Sequence, residues 1–322
     1  MVVTVSLNSG YVMPTLGFGT FSSVLIAEDE LVQIFLNGIE IGYRHIDTAS
    51  IYKSEKAVGK AVSKAVEQKI VSSREELFIT SKLWCDDANG DLVLPALKKS
   101  LENLGLDYLD LFLIHWPVRL RKKEAGVPKF TFKEEDILPF DMRSTWEVME
   151  ECKRLGLVHS IGVSNFSSKK LLDLLDFATI PPSVNQVEMN PLWNQKILRG
   201  FCKEKGIQIT AYSPLGANGD VRMGGTMDIL DSPTLKEIAQ AKQKTTPQIC
   251  LRWLHDKGVT FVVKSYNKDR MKENHQIFDW ELSVEEKDKI DNIPQKKNFL
   301  GNEFVCPNGP YKSVDELWDG EL

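Results

Sequence analysis

One feature restricts the fold more than any other: eight short apolar or β-branched runs alternate with longer stretches of helical periodicity. Read as strands, the runs are Leu16 to Thr20, Tyr43 to Asp47, Leu77 to Lys82, Tyr108 to His115, Ser160 to Ser164, Val184 to Glu188, Ile207 to Tyr212 and Thr260 to Lys264. Repetition of strand then helix is the pattern of parallel βα units. Eight units predict an α/β fold of the closed (β/α)8 TIM-barrel type, which commonly exceeds about 200 residues as one domain. Residues 1–322 are therefore expected to form a single barrel domain. The competing fold, an open doubly wound sheet, wants G-x-G-x-x-G after its first strand. Gly17 and Gly19 stand there without a third glycine.

Ahead of the repeat, Val3 to Leu7 and Tyr11 to Met13 flank Asn8-Ser9-Gly10 and predict a β-hairpin outside the barrel. Long insertions at Pro117 to Phe140 and Pro214 to Met227, and a polar, aromatic-dotted tail at 296–322, follow strand ends or the last helix. They are expected to rim the carboxyl face, where barrel enzymes keep their sites, with the tail lining a substrate pocket.

Composition narrows the class of partner. With 42% hydrophobic and 26% charged residues the chain can bury a large core without staples. A net charge of -5 provides no basic stripe, so nucleic acid and anionic lipid are not expected partners. No run approaches the roughly 18 apolar residues of a membrane span, and the first residues show no secretory pattern, so a cytoplasmic protein is expected. The five cysteines are scattered without C-x-x-C spacing and predict reduced, buried thiols rather than a metal site. No sustained heptad points to an oligomer, and a monomer is expected.

If the barrel forms, Asp47, Lys82 and His115 end its second, third and fourth strands and converge on one mouth, with Tyr52 on the segment just after Asp47. A tyrosine phenol, with an ordinary pKa of about 10, is a poor acid at neutrality unless a cation stabilises its phenolate. Lys82 is the candidate cation, Asp47 would hold it charged, and His115 could donate a hydrogen bond to a carbonyl oxygen. Such a set reduces nothing by itself, so reduction would need a cofactor.

These residues lie in longer matching segments. Gly42-Tyr43-Arg44-His45-Ile46-Asp47-Thr48-Ala49 with Tyr52 and Glu55, Thr80-Ser81-Lys82-Leu83-Trp84, His115-Trp116-Pro117, Ile161-Gly162-Val163-Ser164-Asn165-Phe166, Asn185-Gln186-Val187-Glu188 and Ala211-Tyr212-Ser213-Pro214-Leu215-Gly216 resemble the aldo-keto reductase superfamily. So does Lys264-Ser265 followed by Arg270, Glu273 and Asn274. The resemblance covers about Ser6 to Pro294 and implies a catalytic tetrad at Asp47, Tyr52, Lys82 and His115. It also implies a nicotinamide site of Thr20, Asp47, Ser164, Asn165, Gln186 and Tyr212, and a pyrophosphate loop at Ser213, Leu215 and Gly216. Lys264, Ser265 and Arg270, with Glu273 and Asn274 behind them, would surround an adenosine 2′-phosphate, and two cations with a hydroxyl favour NADPH over NADH. Lys53 stands where the family often has a small residue. His115 is kept where relatives that reduce a ring carbon–carbon double bond tend to carry Glu, which implies carbonyl reduction.

Ser81-Lys82-Leu83-Trp84-Cys85 and Ile277-Phe278-Asp279-Trp280-Glu281-Leu282 resemble the plant subgroup that contains codeinone reductase, chalcone reductase and methylecgonone reductase. A small-molecule ketone of specialised metabolism, a tropane or morphinan alkaloid or a polyketide, is the substrate this implies. A generalist reductase of reactive aldehydes is the alternative. A pocket walled by Trp84 and Trp116 and closed by Phe21, Phe130, Phe132 and Phe304 would suit a flat or polycyclic ligand, with core packing the alternative role for Phe130 and Phe132. A nucleotide-binding barrel without turnover would not need a matched acid and cation.

Overall fold

The computed structural model describes residues 2–123, 132–216 and 228–322. Twelve strands occur among them. The hairpin is formed by β1 (Thr4–Ser6) and β2 (Val12–Pro14), paired antiparallel. The barrel strands are β3 (Leu16–Gly19), β4 (His45–Asp47), β5 (Phe78–Leu83) and β6 (Leu109–Ile114). A second small hairpin, β7 (Arg119–Leu120) and β8 (Ile137–Leu138), interrupts the series. The barrel then continues through β9 (Val158–Ser164), β10 (Val184–Glu188), β11 (Gln208–Tyr212) and β12 (Thr260–Val263). It closes in the order β10-β11-β12-β3-β4-β5-β6-β9, with every pairing parallel. All eight expected strands are present, and a parallel barrel abolishes the sheet edges that a doubly wound alternative would keep.

The helices follow from local sequence. The one at Glu28–Ile41 starts with Glu28, Asp29 and Glu30 against its positive end and buries Val32, Phe35, Leu36 and Ile39 at helical spacing. Asp141 caps Met142–Arg154 by accepting from the Ser144 amide, and Thr245 with Gln248 forms a capping box on Thr246–Asp256. Neighbouring helices approach closely at Gly59, where an added Cβ would lie 1.9 Å from the Leu104 carbonyl oxygen.

Three apolar layers place the site. The largest packs barrel strands against the helix ring. At the amino end, Leu7 and Met13 of the first hairpin pack with Phe78, Leu111, Leu113 and Val184, so the hairpin plugs the barrel floor. At the carboxyl end, Ile51, Trp84, Trp116, Leu120 and Ile137 pack with Phe304, Leu317 and Trp318 of the tail. The tail is tied down along its length: Glu188 accepts from the Asn298 and Phe299 amides at 3.3 and 2.9 Å, and Lys170 pairs with Asp319 at 2.5 Å. Gly301 turns with φ +75°, and a Cβ there would meet Leu317 at 2.8 Å and Trp116 at 3.4 Å. All five cysteines are buried and unbridged, as expected. No helix among the described residues is long and apolar enough to cross a membrane.

Candidate active site

The carboxyl ends of the barrel strands bring the four expected residues together. Asp47 ends β4, Lys82 lies one residue before the end of β5, and His115 directly follows β6. Tyr52 ends a short 3-10 turn over Ser50–Tyr52, whose first residue ties to β5 by a 3.1 Å bond from Ser50 Oγ to the Lys82 carbonyl. The turn is left through Lys53 with φ +59°. A left-handed residue is where glycine is at ease, which gives a physical reason for a small residue here; lysine costs about 1 kcal/mol more.

Lys82 is fully buried and donates to Asp47 Oδ1 at 2.5 Å and to the Thr48 carbonyl at 3.0 Å. The other carboxylate oxygen, Oδ2, accepts from Gln186 Nε2 at 2.8 Å. Burial pushes the Lys82 ammonium below its usual range, and Asp47 pulls it back up. Its Nζ sits 4.9 Å from the Tyr52 ring centroid, and the Tyr52 hydroxyl is 3.4 Å from His115 Nε2.

Burial also holds the His115 imidazole well below its ordinary pKa, with Lys82 adding to the effect, so the ring is neutral at neutral pH. Its Nδ1 has no hydrogen-bond partner among the described residues, leaving the tautomer to be set by what approaches Nε2. Burial first, and the Asp47 charge second, push the Tyr52 phenol well above its usual pKa of 10; the Lys82 ammonium lies 2.5 Å from its carboxylate partner and 4.9 Å from the phenol ring.

A hydroxyl shell orders this quartet, joining Thr20, expected at the nicotinamide ribose, to Ser54 and Thr48, to which the sequence reading gave no site role. Thr20 Oγ1 donates to the Asp47 carbonyl at 3.0 Å and lies 2.9 Å from Ser54 Oγ, which meets Thr48 Oγ1 at 2.8 Å. Their signal was weak, since single Ser and Thr residues beside strand ends are common. Glu55, quoted only within a motif, is buried and accepts from Ser81 at 2.8 Å and Asn103 at 2.9 Å.

The expected nicotinamide residues lie on the next strands round the barrel. Ser164 Oγ donates to the Gln186 carbonyl at 2.7 Å. Asn165 donates to the His115 carbonyl at 3.0 Å and accepts from the Tyr212 hydroxyl at 2.8 Å, joining both halves of the site. Asn165 and Ser213 both hold positive φ, 63° and 48°, and such strain gathers at functional loops. Leu215 and Gly216 follow, Gly216 at φ +68°.

Lys264 and Ser265 leave β12, and Arg270 lies in the first turn of the helix Lys268–His275, which Asn267 caps through the Asp269 and Arg270 amides. Lys264 and Arg270 are exposed. Glu273 accepts from Thr245 Oγ1 at 2.7 Å, and Asn274 is buried.

Around the mouth, ring centroids follow one another from Phe21 to Tyr52 (5.1 Å), His115 (5.6 Å), Trp84 (5.2 Å), Phe304 (6.5 Å), Trp116 (5.0 Å), Phe299 (5.5 Å) and Tyr212 (6.5 Å). Phe299 is an addition to the expected wall, hidden in sequence because nothing local ties residue 299 to the mouth. Phe132 stacks on Phe304 at 5.6 Å within the upper apolar layer. Phe130 and the 217–227 loop lie outside the described residues.

The same layout carries through comparison with known proteins. The family model described as "Aldo/keto reductase family" matches residues 15–295. Protein REDOX 2 of Catharanthus roseus is 53% identical over 319 residues, 99% of this chain and 97% of that protein. Rhazimal reductase 2 of Alstonia scholaris shares 53% with the same coverage, and deoxymugineic acid synthase 1 of Zea mays 52% over 96% of this chain and 97% of its own. A crystal structure of a Bombyx mori aldo-keto reductase in complex with NADP superposes with a TM-score of 0.79 at 38% identity, covering 90% of this chain and 92% of that one. With the barrel closed, the strand-end quartet assembled and the family model spanning nearly all of the repeat, the chain belongs to the aldo/keto reductase family.

Proposed function

We propose that the chain is an NADPH-dependent carbonyl reductase that converts a ketone of plant specialised metabolism to its alcohol, with Tyr52 giving the proton. The observation that carries this reading is the convergence of Tyr52, His115 and the buried Lys82–Asp47 pair at one point beneath an aromatic mouth. The plant relatives Protein REDOX 2 and rhazimal reductase 2 support the reading of a plant reductase.

The donor set fits the cofactor. Gln186, Asn165 and Ser164 offer amide and hydroxyl groups suited to a carboxamide, and exposed Lys264 and Arg270 beside a helix start suit a phosphomonoester. When bound, NADPH supplies the hydride to the carbonyl carbon.

The residues of this chain handle the oxygen. As the carbonyl π bond breaks, its electron pair moves to oxygen, and the oxygen of an alkoxide holds a proton with a pKa of about 16, like water. A phenol is intrinsically a stronger acid than an alcohol, so Tyr52 is the group that gives this oxygen its proton, and burial keeps it protonated until then. Neutral His115 donates a hydrogen bond from Nε2 to the same oxygen. Lys82, held charged by Asp47, faces the ring that becomes a phenolate. Trp84, Trp116, Phe304 and Phe21 exclude water and wall a flat substrate.

A panel of alkaloid and polyketide ketones against simple aldehydes, read by NADPH consumption, tests the reading. Selective turnover of a ketone class is expected; flat turnover of aldehydes alone would replace it with a generalist detoxifying reductase.

A further inference from the structure

Ser54 stands at the N-cap of the helix Glu55–Glu67, yet its side chain makes no cap bond. Serine is favoured there because its oxygen takes an orphan amide of the first turn. Ser167, Ser283 and Ser313 do this at three other helix starts, accepting from the amides of Lys170, Glu286 and Glu316. Ser54 is buried and turned inward instead, onto Thr48 Oγ1 at 2.8 Å and Thr20 Oγ1 at 2.9 Å. A helix cap forgone for bonds beside the reacting groups is a local rule broken where function has first call on the side chain.

Counting protons gives the direction of these bonds. Each hydroxyl carries one, and the Asp47 carbonyl, 3.0 Å from Thr20 Oγ1, only accepts. Thr48 giving to Ser54, Ser54 to Thr20 and Thr20 to the Asp47 carbonyl places all three protons; the reverse order leaves the Thr48 proton without an acceptor among the described residues. The chain of hydroxyls starts on Thr48 and ends on Asp47, so it clamps the peptide between them. Those two residues supply both acceptors of Lys82 Nζ, Asp47 Oδ1 at 2.5 Å and the Thr48 carbonyl at 3.0 Å. Ser54 also follows Tyr52 by two residues, across the left-handed Lys53, and so fixes the exit of the segment bearing the phenol.

Resting on the carbonyl-reductase reading above, we infer that Ser54 is a positioning residue of the reaction, holding the Asp47–Thr48 peptide so that Lys82 keeps both its oxygens and faces the Tyr52 ring. Lys82 is faced by His45 and Asp47 of β4, by Tyr52 and by His115 after β6. Burial keeps both imidazoles neutral at neutral pH, and the Glu55 carboxylate at the helix start is taken by Ser81 and Asn103. The lysine charge therefore leans on Asp47 and the Thr48 carbonyl. Burial lowers the ammonium pKa and raises that of the phenol, so Lys82 is the first of the two to lose its proton as pH rises, and the rate falls with it. Freeing the peptide weakens bonds made to the charged form, which moves that fall to lower pH by about one unit.

The test follows single-turnover carbonyl reduction against pH in the wild type, Ser54→Ala, Thr48→Val and a control, Ser283→Ala, which removes a working cap from the helix Val284–Asp291. Ser54→Ala and Thr48→Val should each slow the reaction about tenfold and bring its alkaline fall about one pH unit lower. Ser283→Ala should lose about 1–2 °C of Tm and keep the wild-type profile. A Ser54→Ala profile matching the wild type overturns the inference, and so does a slower rate whose alkaline fall has not moved, because general loosening would produce that. If the wild type reduces neither ketones nor benzaldehyde, the reductase reading fails by itself. Hydrogen exchange, which needs no substrate, then decides the role of Ser54 at the Thr20 and Thr48 amides, bonded to the Asp47 and Thr80 carbonyls. Faster exchange there in Ser54→Ala, relative to other barrel amides, supports the clamp; unchanged exchange overturns it.

Discussion

Replacing Lys82 with Met tests whether the buried pair at the barrel mouth is an ion pair that neither partner tolerates losing. The two side chains are 0% and 4% exposed, and among the described residues Gln186 is the one other side-chain donor to Asp47. Removing the lysine leaves a carboxylate buried with half its donors gone. A broken buried pair costs about 3–5 kcal/mol, whereas removing both charges together is often near neutral. With an unfolding entropy of about 2.1 cal/mol/K per residue over 322 residues, a loss of about 4 kcal/mol lowers Tm by about 6 °C. The double variant Asp47→Asn, Lys82→Met keeps an acceptor for Gln186 and should recover to within about 1 kcal/mol of the wild type, while remaining inactive. Urea unfolding followed by circular dichroism and tryptophan fluorescence reads all three proteins. A Lys82→Met protein as stable as the wild type, or a double variant no more stable than the single, would refute the reasoning.

Burial, partly offset by Asp47, lowers the His45 pKa from 6.5 to about 4, so the unfolded chain binds more protons as pH falls between those values. Stability should be undiminished above pH 6.5 and decline by about 3 kcal/mol by pH 4, and His45→Gln should flatten that decline in urea titrations. Because His115 stays neutral, kcat for the ketone should show no inflection near pH 6.5. Gly59→Ala gains helix propensity but drives a methyl group against the Leu104 carbonyl; a net loss of about 2 kcal/mol is expected by thermal unfolding. Arg270→Ala should weaken NADPH by about tenfold and leave NADH nearly unaffected in fluorescence titration; equal losses would remove the arginine from the 2′-phosphate.

How far the sequence reaches depends on the range of the interactions involved. The eight strands were legible because β-branched runs and helical periodicity are local, and every strand of the barrel falls within its expected segment or extends it by one or two residues, as at Leu83 and Val158. Boundaries such as Tyr43 against His45 differ because the chain turns out of the first helix at Gly42, φ +121°, and its strand pairing begins only at His45. Asp47, Lys82 and His115 were placed by strand-end position alone, and the structure gathers them with Tyr52. What sequence could not show is direction and depth. Lys82 is readable as a neighbour of the phenol, but sequence does not show that its ammonium lies 2.5 Å from Asp47 and 4.9 Å from the Tyr52 ring, or that burial raises the phenol pKa. The tail was expected near the pocket, yet the contact of Phe299 with Trp116 and the two amides bound by Glu188 span more than a hundred residues, with no local pattern to announce them.

The most direct test of the central claim is Tyr52→Phe, with single-turnover NADPH oxidation measured against a ketone substrate and NADPH affinity measured in parallel. The account predicts that the reduction rate falls by about a hundredfold to ten-thousandfold while NADPH affinity is essentially unchanged, since the ring and its packing on Phe21 and His115 remain. Reduction at the wild-type rate would contradict Tyr52 as the proton donor.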